Sequence, residues 1–292
     1  MNSPQDGLVL LDKPVGRTSF ESLHTIKNRL RTKKVGHAGT LDKFARGLLI
    51  VLTGRCTRMV AYLMPLDKEY VGVIRFGEET DTLDVEGELV RSGPVPPVER
   101  IREILPRFVG GIDQVPPAFS AVHHDGERAY RLARKGESPA LEARRVRIDG
   151  IDVLSYRPPD LTVRVRCSKG TYIRALARDI GRDCGSCAHL IGLERTRIGP
   201  FSLDEAVAPE EFDADSDLMA SSEFVGRLPS LEVREVTDRA AAAVRHGQTL
   251  ADDAFERPPR DDGQFALFTR NGEFLALVRR ETGRYRYLGV FA

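Results

Sequence analysis

Gly36-His37-Ala38-Gly39-Thr40-Leu41-Asp42 is a glycine-punctuated segment that ends in a single carboxylate and has basic residues on both flanks. Gly36 and Gly39 permit backbone conformations closed to other residues, or let the chain lie against a ligand with no Cβ in the way. The chain then passes through Lys43-Phe44-Ala45-Arg46 into the apolar run Gly47-Leu48-Leu49-Ile50-Val51-Leu52. A carboxylate on a tight loop between packed elements can serve as a nucleophile or a general base. It can equally cap the next turn, as Asp commonly does. The heptapeptide alone leaves these two roles open.

Such a loop needs rigid elements on either side. Leu8 to Leu11 and Leu48 to Leu52 are read as buried strands, and Leu161, Val163, Val165 and Cys167 alternate with polar residues as a strand with one buried face does. Val98, Ile101, Leu105 and Phe108 recur with helical spacing, as do Ile173, Leu176, Ala177 and Ile180 after Gly170-Thr171. Tyr172 and Arg174 therefore belong to the start of a helix that follows a strand. Gly93 to Pro97 is read as a loop.

Toward the C-terminus, the stretch from Asp204 to Glu223 carries eight acids and no base, and Leu228-Pro229-Ser230 follows shortly after. This acidic stretch is expected to be a surface connection, with a domain boundary at its end. Beyond it the pattern gives a short helix from Asp238 to His246. Strands are expected at Gln264 to Arg270, Phe274 to Arg279 and Tyr285 to Val290, with Asn271-Gly272 as a hairpin turn. Pro258-Pro259 and Asp261-Asp262-Gly263 are read as a mobile surface loop.

The 292 residues suit one large domain or two unequal ones. No apolar run reaches about 18 residues and no basic-then-apolar leader precedes the first strand, so neither a membrane span nor a secretory signal is expected. Four cysteines are too few for a disulfide scaffold in a chain of this length, which fits a reducing cytoplasm. Cys184-Gly-Ser-Cys187 with His189 is half of a zinc pattern, but no second pair completes it, so no metal is expected. No phosphate-binding loop or dinucleotide fingerprint is present, and no cofactor is expected.

A net charge of +1 conceals polarity along the chain. From Arg17 to Arg58 ten Lys or Arg face only Glu21 and Asp42, and from Arg164 to Arg197 eight face three acids. Two basic regions that bracket a candidate catalytic loop form a footprint for phosphates.

The loop also resembles the signature of the TruB family of tRNA pseudouridine synthases, and further blocks of that family stand in the same order. They are Gly7-Leu-Val-Leu-Leu-Asp-Lys13-Pro14, Lys68-Glu69-Tyr70, Gly77-Glu-Glu-Thr-Asp-Thr-Leu-Asp84, Pro116-Pro-Ala-Phe-Ser-Ala121, Tyr130-Arg-Leu-Ala-Arg-Lys-Gly136, Cys167-Ser-Lys-Gly-Thr-Tyr-Ile-Arg174 and His189-Leu-Ile-Gly-Leu193-Glu-Arg-Thr196. The resemblance extends from about residue 7 to residue 207.

It implies an α+β fold: a mixed, largely antiparallel sheet flanked by helices over residues 1–229, then a small β-rich PUA-like RNA-binding domain over 230–292. It implies isomerisation of the T-loop uridine of tRNA at position 55, with Asp42 as the catalytic carboxylate. Arg174 would pair with that carboxylate and Lys13 would support it. Tyr70 would stack on the target base, Tyr172 and Leu193 would line the uracil pocket, and His37 would hold the RNA in a flipped form. The implied partner is the T-arm stem-loop of tRNA, with a cytoplasmic monomer needing no obligate protein partner and no membrane.

Two positions depart from the family pattern: Lys43 stands where Pro usually follows the catalytic Asp, and His123 where Lys is common. The first removes a residue of fixed φ and gives Asp42 a possible cationic neighbour. Two other readings compete, a non-catalytic tRNA-binding or RNA-folding protein on the same fold and the guide-RNA-dependent branch of the superfamily. Asp42, Tyr70, Tyr172 and Arg174 together argue against the first. The second has longer terminal extensions, whereas the first motif here begins at Gly7.

Overall fold

The computed structural model describes residues 6–120, 122–124, 127–135 and 140–291. Its strands are β1 (Gly7–Lys13), β2 (Val35–His37), β3 (Arg46–Thr53), β4 (Lys68–Phe76), β5 (Glu78–Thr80), β6 (Leu89–Ser92), β7 (Gly110–Gln114), β8 (His123–His124), β9 (Glu127–Arg128), β10 (Arg144–Arg157), β11 (Asp160–Cys167), β12 (Ala188–Ile198) and β13 (Phe201–Ser202), then β14 (Glu232–Glu235), β15 (Gly263–Phe268), β16 (Phe274–Glu281) and β17 (Arg284–Val290). The helices are α1 (Ser19–Arg29), α2 (Val60–Leu63), α3 (Val98–Ile104), α4 (Ala129–Arg134), α5 (Ile173–Asp183), α6 (Ala214–Asp217), α7 (Ser221–Gly226) and α8 (Asp238–Arg245).

The main sheet runs β1-β3-β12-β4-β11-β10-β7, with β2 also on β3 and β13 also on β12. Its pairings are antiparallel except for β12 on β3, which is parallel. A mixed, largely antiparallel sheet with helices is thus the observed fold. The second sheet, β14-β15-β16-β17, lies in the C-terminal part.

The apolar run in β3 reads as it does because both of its faces are buried. Leu49 and Val51 join Val9, Leu11, Leu23 and Ile26 under α1. Leu48, Ile50 and Leu52 point the other way, into a cluster that continues through Phe224, Val225 and Leu228 to Phe268, Phe274, Leu277 and Phe291. The C-terminal sheet therefore shares one core with β1 and β3. A third cluster lies where α5 and α3 cover the sheet, and it takes in Leu161, Val163, Val165 and Cys167 from β11 with Ile173, Leu176 and Ile180 from α5.

Two expectations change. The helix that begins at Val98 ends at Ile104 and tightens into a 3₁₀ turn over Leu105–Phe108, because Pro106 has no N–H to donate in a continuing helix. The acidic stretch is not a free connection. Val207 bonds to Leu10 and Asp12, and Met219 exchanges two hydrogen bonds with Leu8, so this backbone covers the outer edge of β1. Phe212 is fully buried between these points, and Arg29 bonds the carbonyls of Phe212 and Glu210.

The C-terminal hairpin closes through Thr269–Glu273, with Gly272 at φ 81°. The loop before β15 crosses the surface, where Asp262 accepts hydrogen bonds from Thr282 N and Arg280. Among the described residues no helix is long and apolar enough to cross a membrane.

Candidate active site

The Gly36–Asp42 segment is placed from three sides. β2 pairs with β3, setting Gly36 opposite Leu52 and His37 opposite Val51, and Ala38 N donates to Ile50 O. The first residue of α1 clamps the far end: Ser19 Oγ accepts from Leu41 N at 2.8 Å and donates to Leu41 O at 3.0 Å. From beneath, the buried Arg195 donates to Leu48 O at 2.8 Å and to Gly39 O at 3.1 Å. Gly39 has φ 100°, a region that disfavours any side chain, whereas Gly36 lies in strand β2 with open space around it.

Gly47 is the tighter requirement. A Cβ there would lie 2.5 Å from Arg195 O, at the point where β3 and β12 run parallel.

Asp42 faces a cavity of about 630 Å³. Tyr70 from β4, Leu193 from β12, and Tyr172 and Arg174 from the start of α5 line the same cavity. Ser168, Lys169, Arg144 and Arg145 stand around it too, so cations rim a partly apolar hollow. The peptide of Tyr172 is fixed by the buried Gln114, whose side chain accepts from Tyr172 N at 2.8 Å and donates to Tyr172 O at 3.1 Å. Gln114 here does the work of an N-cap, since Tyr172 makes no side-chain cap bond.

Arg174 is the centre of the electrostatics. Its Nε lies 3.0 Å from Asp42 Oδ2 as an ion pair, although the N–H is not aimed closely enough at that oxygen to count as a hydrogen bond. The rest of the guanidinium donates to Thr82 O at 2.8 Å, Asp84 Oδ2 at 3.1 Å and Phe119 O at 3.0 Å. Asp84 is itself held by Thr82 Oγ1 and Glu86 N. A single buried arginine thus bridges two carboxylates, only one of which faces the cavity.

Burial pushes the Asp42 carboxyl above the usual carboxylate range, Arg174 and Lys13 pull it back, and Asp84 adds to the rise. Lys13 has no exposed surface and donates to the carbonyls of Pro14 and Arg17. Its desolvation lowers it to about 8, against the pull of Asp42. Tyr70 and Tyr172 are both raised, chiefly by burial.

The structure thus brings Asp42, Tyr70, Tyr172, Arg174 and Leu193 to one cavity, with Lys13 close behind Asp42. His37 is not among the residues that line it. The side chain is half-buried on β2, and burial lowers its pKa. Lys43 is exposed, and the cations that act on Asp42 are Arg174 and Lys13 instead. The side chain of His123 lies outside the described residues. Cys187 donates to Arg91 O and His189 bonds Glu78 O, and no group of three or more His, Cys, Asp or Glu among the described residues could hold a metal.

Asp84, Gln114 and Arg195 are the residues that sequence reasoning gave no role. Asp84 and Arg195 lie within two of the family blocks, which is the signal that could have singled them out. Nothing around Gln114 marks it.

A carboxylate paired to a pre-set arginine, at the floor of a hollow large enough for a nucleoside, makes this an enzyme pocket rather than a docking surface. The chain belongs to the TruB family of pseudouridylate synthases, whose N-terminal domain model matches residues 27–173. It is 46% identical over 291 residues to "tRNA pseudouridine synthase B" of Borreliella burgdorferi (strain ZS7), covering 98% of this chain and all of that one. It is 43% identical over 278 residues to the protein of the same name from Mycobacterium sp. (strain KMS), covering 93% and 91%.

Among solved structures, a chain of a Cbf5-Nop10-Gar1 complex superimposes with a TM-score of 0.73 at 28% identity, covering 99% of this chain and 85% of that one. A chain of an H/ACA RNP bound to a substrate RNA containing 2'-deoxyuridine gives 0.74 at 27% identity, covering 99% and 86%. The protein is accordingly an enzyme that makes pseudouridine.

Proposed function

We propose that the chain isomerises the uridine at position 55, in the T loop of tRNA, with Asp42 as the reacting carboxylate. In this reaction the N1–C1′ bond of the uridine breaks and a C5–C1′ bond forms. C5 loses a proton and N1 ends protonated, so the change balances within the nucleotide. The observation that carries the reading is Asp42 on the cavity floor, 3.0 Å from a buried arginine, in a chain of the TruB family. Support for the tRNA substrate comes from relatives named tRNA pseudouridine synthase B over nearly their whole length.

The uridine leaves its stack to enter the cavity, at a cost of about a few kcal/mol that is least in a loop. Tyr70 takes the face of the base, while Tyr172 and Leu193 bound the uracil. Arg174 keeps Asp42 ionised against burial, and Lys13 assists. His37 acts on the flipped RNA beside the cavity rather than inside it. Residues 1–229 are the catalytic unit and residues 230–292 a PUA-like unit that binds RNA outside the T loop. The enzyme works as a monomer in the cytoplasm, with no obligate protein partner and no cofactor.

The test is to map pseudouridine in unmodified tRNA incubated with the pure protein. Modification at position 55 is expected. Modification confined to other positions, or none, contradicts the proposal.

A further inference from the structure

Beside the catalytic loop lies a surface that the reaction at Asp42 does not use. The turn from Pro14 to Thr18 and the residues after Asp42 form one ridge, since Gly16 N donates to Lys43 O at 2.8 Å and Ser19 is bonded to Leu41. Two apolar side chains stand out from this ridge, Val15 at 60% exposure and Phe20 at 59%. Lone exposed apolar residues are common and mean nothing by themselves. These two, however, sit among cations. Lys27 Nζ lies 4.5 Å from the centre of the Phe20 ring, His24 meets that ring edge-on at 5.5 Å, and Lys43 is exposed on the adjoining loop.

Phe20, His24 and Lys27 follow one another at helical spacing on α1, so they form a single stripe leading away from the loop. The nearby acid is already engaged: Glu21 accepts from both the N–H and the hydroxyl of Thr18 in a capping box.

An exposed aromatic ring bordered by cations is what a single-stranded nucleotide requires, with the ring for the base and the cations for the phosphates. We propose that Phe20 is a stacking platform for an unpaired base of the bound RNA, with Lys27 and Lys43 meeting the adjoining phosphates. The proposal rests on RNA being the substrate. It adds a binding site outside the cavity, beside the loop that carries Asp42.

The chain contains no tryptophan, so Phe20→Trp installs a unique fluorophore on the platform. Titration with tRNA should quench that fluorescence, saturating at the concentration at which filter binding saturates. Phe20→Ala should weaken tRNA binding by roughly 5- to 150-fold, the range of one base–aromatic stack. Its circular dichroism should match wild type, and Val153→Ala, which removes an exposed apolar side chain elsewhere, should leave binding unchanged. If wild type binds tRNA while Phe20→Trp stays unquenched and Phe20→Ala binds equally well, the platform is overturned and the tRNA substrate stands. If wild type binds no tRNA, both fall.

Discussion

Arg174 and Asp42 touch at 3.0 Å, yet the arginine side chain is 6% exposed and the carboxylate 39%. The arginine is therefore fixed by the protein before any substrate arrives, and Asp42 is the member that reaches into the cavity. Preorganised charge of this kind costs no rearrangement when the reaction occurs.

The second carboxylate on that arginine gives a signed prediction. Asp84→Asn removes a negative charge that pushes Asp42 upward, so the acid limb of kcat/KM should move to lower pH. The same change weakens the seating of Arg174, so kcat should fall by roughly 10- to 100-fold, the worth of a hydrogen bond to a charged group. A pH profile of the variant, taken under single-turnover conditions, reads both effects.

Lys13→Met should act in the opposite direction. Lys13 pulls Asp42 down, so its loss should move the acid limb to higher pH. Wild type should already lose activity in acid above the pH at which an ordinary carboxylate titrates, because burial raises Asp42. From low pH to high, the acid limbs should fall in the order Asp84→Asn, wild type, Lys13→Met.

Substitutions at the glycines on either side of Asp42 should differ sharply in their effect on stability. Gly47→Ala drives a Cβ to 2.5 Å from a backbone oxygen at φ 100°, so it should destabilise the fold by about 1–3 kcal/mol or more and lower Tm by several degrees. Gly36→Ala meets open space and should leave Tm within about 1–2 °C, as surface substitutions do. Thermal unfolding followed by circular dichroism compares the pair.

Strand positions and the Gly36–Asp42 loop were legible in the sequence, because period-two alternation and glycine placement are local signals. Long-range placement was not. Leu48 to Leu52 announces a buried strand but not that one face meets α1 and the other the C-terminal sheet. The acidic stretch has the composition of a connection, and only its bonds to Leu8, Leu10 and Asp12 show that it finishes the edge of β1. Gln114 acts through a backbone far along the chain, at Tyr172, which no spacing rule reaches. Lys43 is adjacent to Asp42 in sequence, yet the cations that matter come from residues 13 and 174.

The shared core changes what truncation should do. A chain ending at Leu228 keeps every cavity residue but uncovers Phe224, Val225 and Leu228, which pack with Phe268, Phe274 and Phe291. It should retain turnover on an isolated T-arm, bind whole tRNA more weakly, and melt below the full-length protein with a tendency to aggregate. Activity on both substrates and thermal unfolding measure this.

The central claim is that Asp42 carries the reaction. Asp42→Asn keeps the shape of the loop but replaces the carboxylate with a neutral amide. Its rate of pseudouridine formation, followed by tritium release from 5-tritiated tRNA, should fall by roughly three orders of magnitude or more, while tRNA binding stays within several-fold of wild type. Substantial tritium release from pure Asp42→Asn protein would contradict the account.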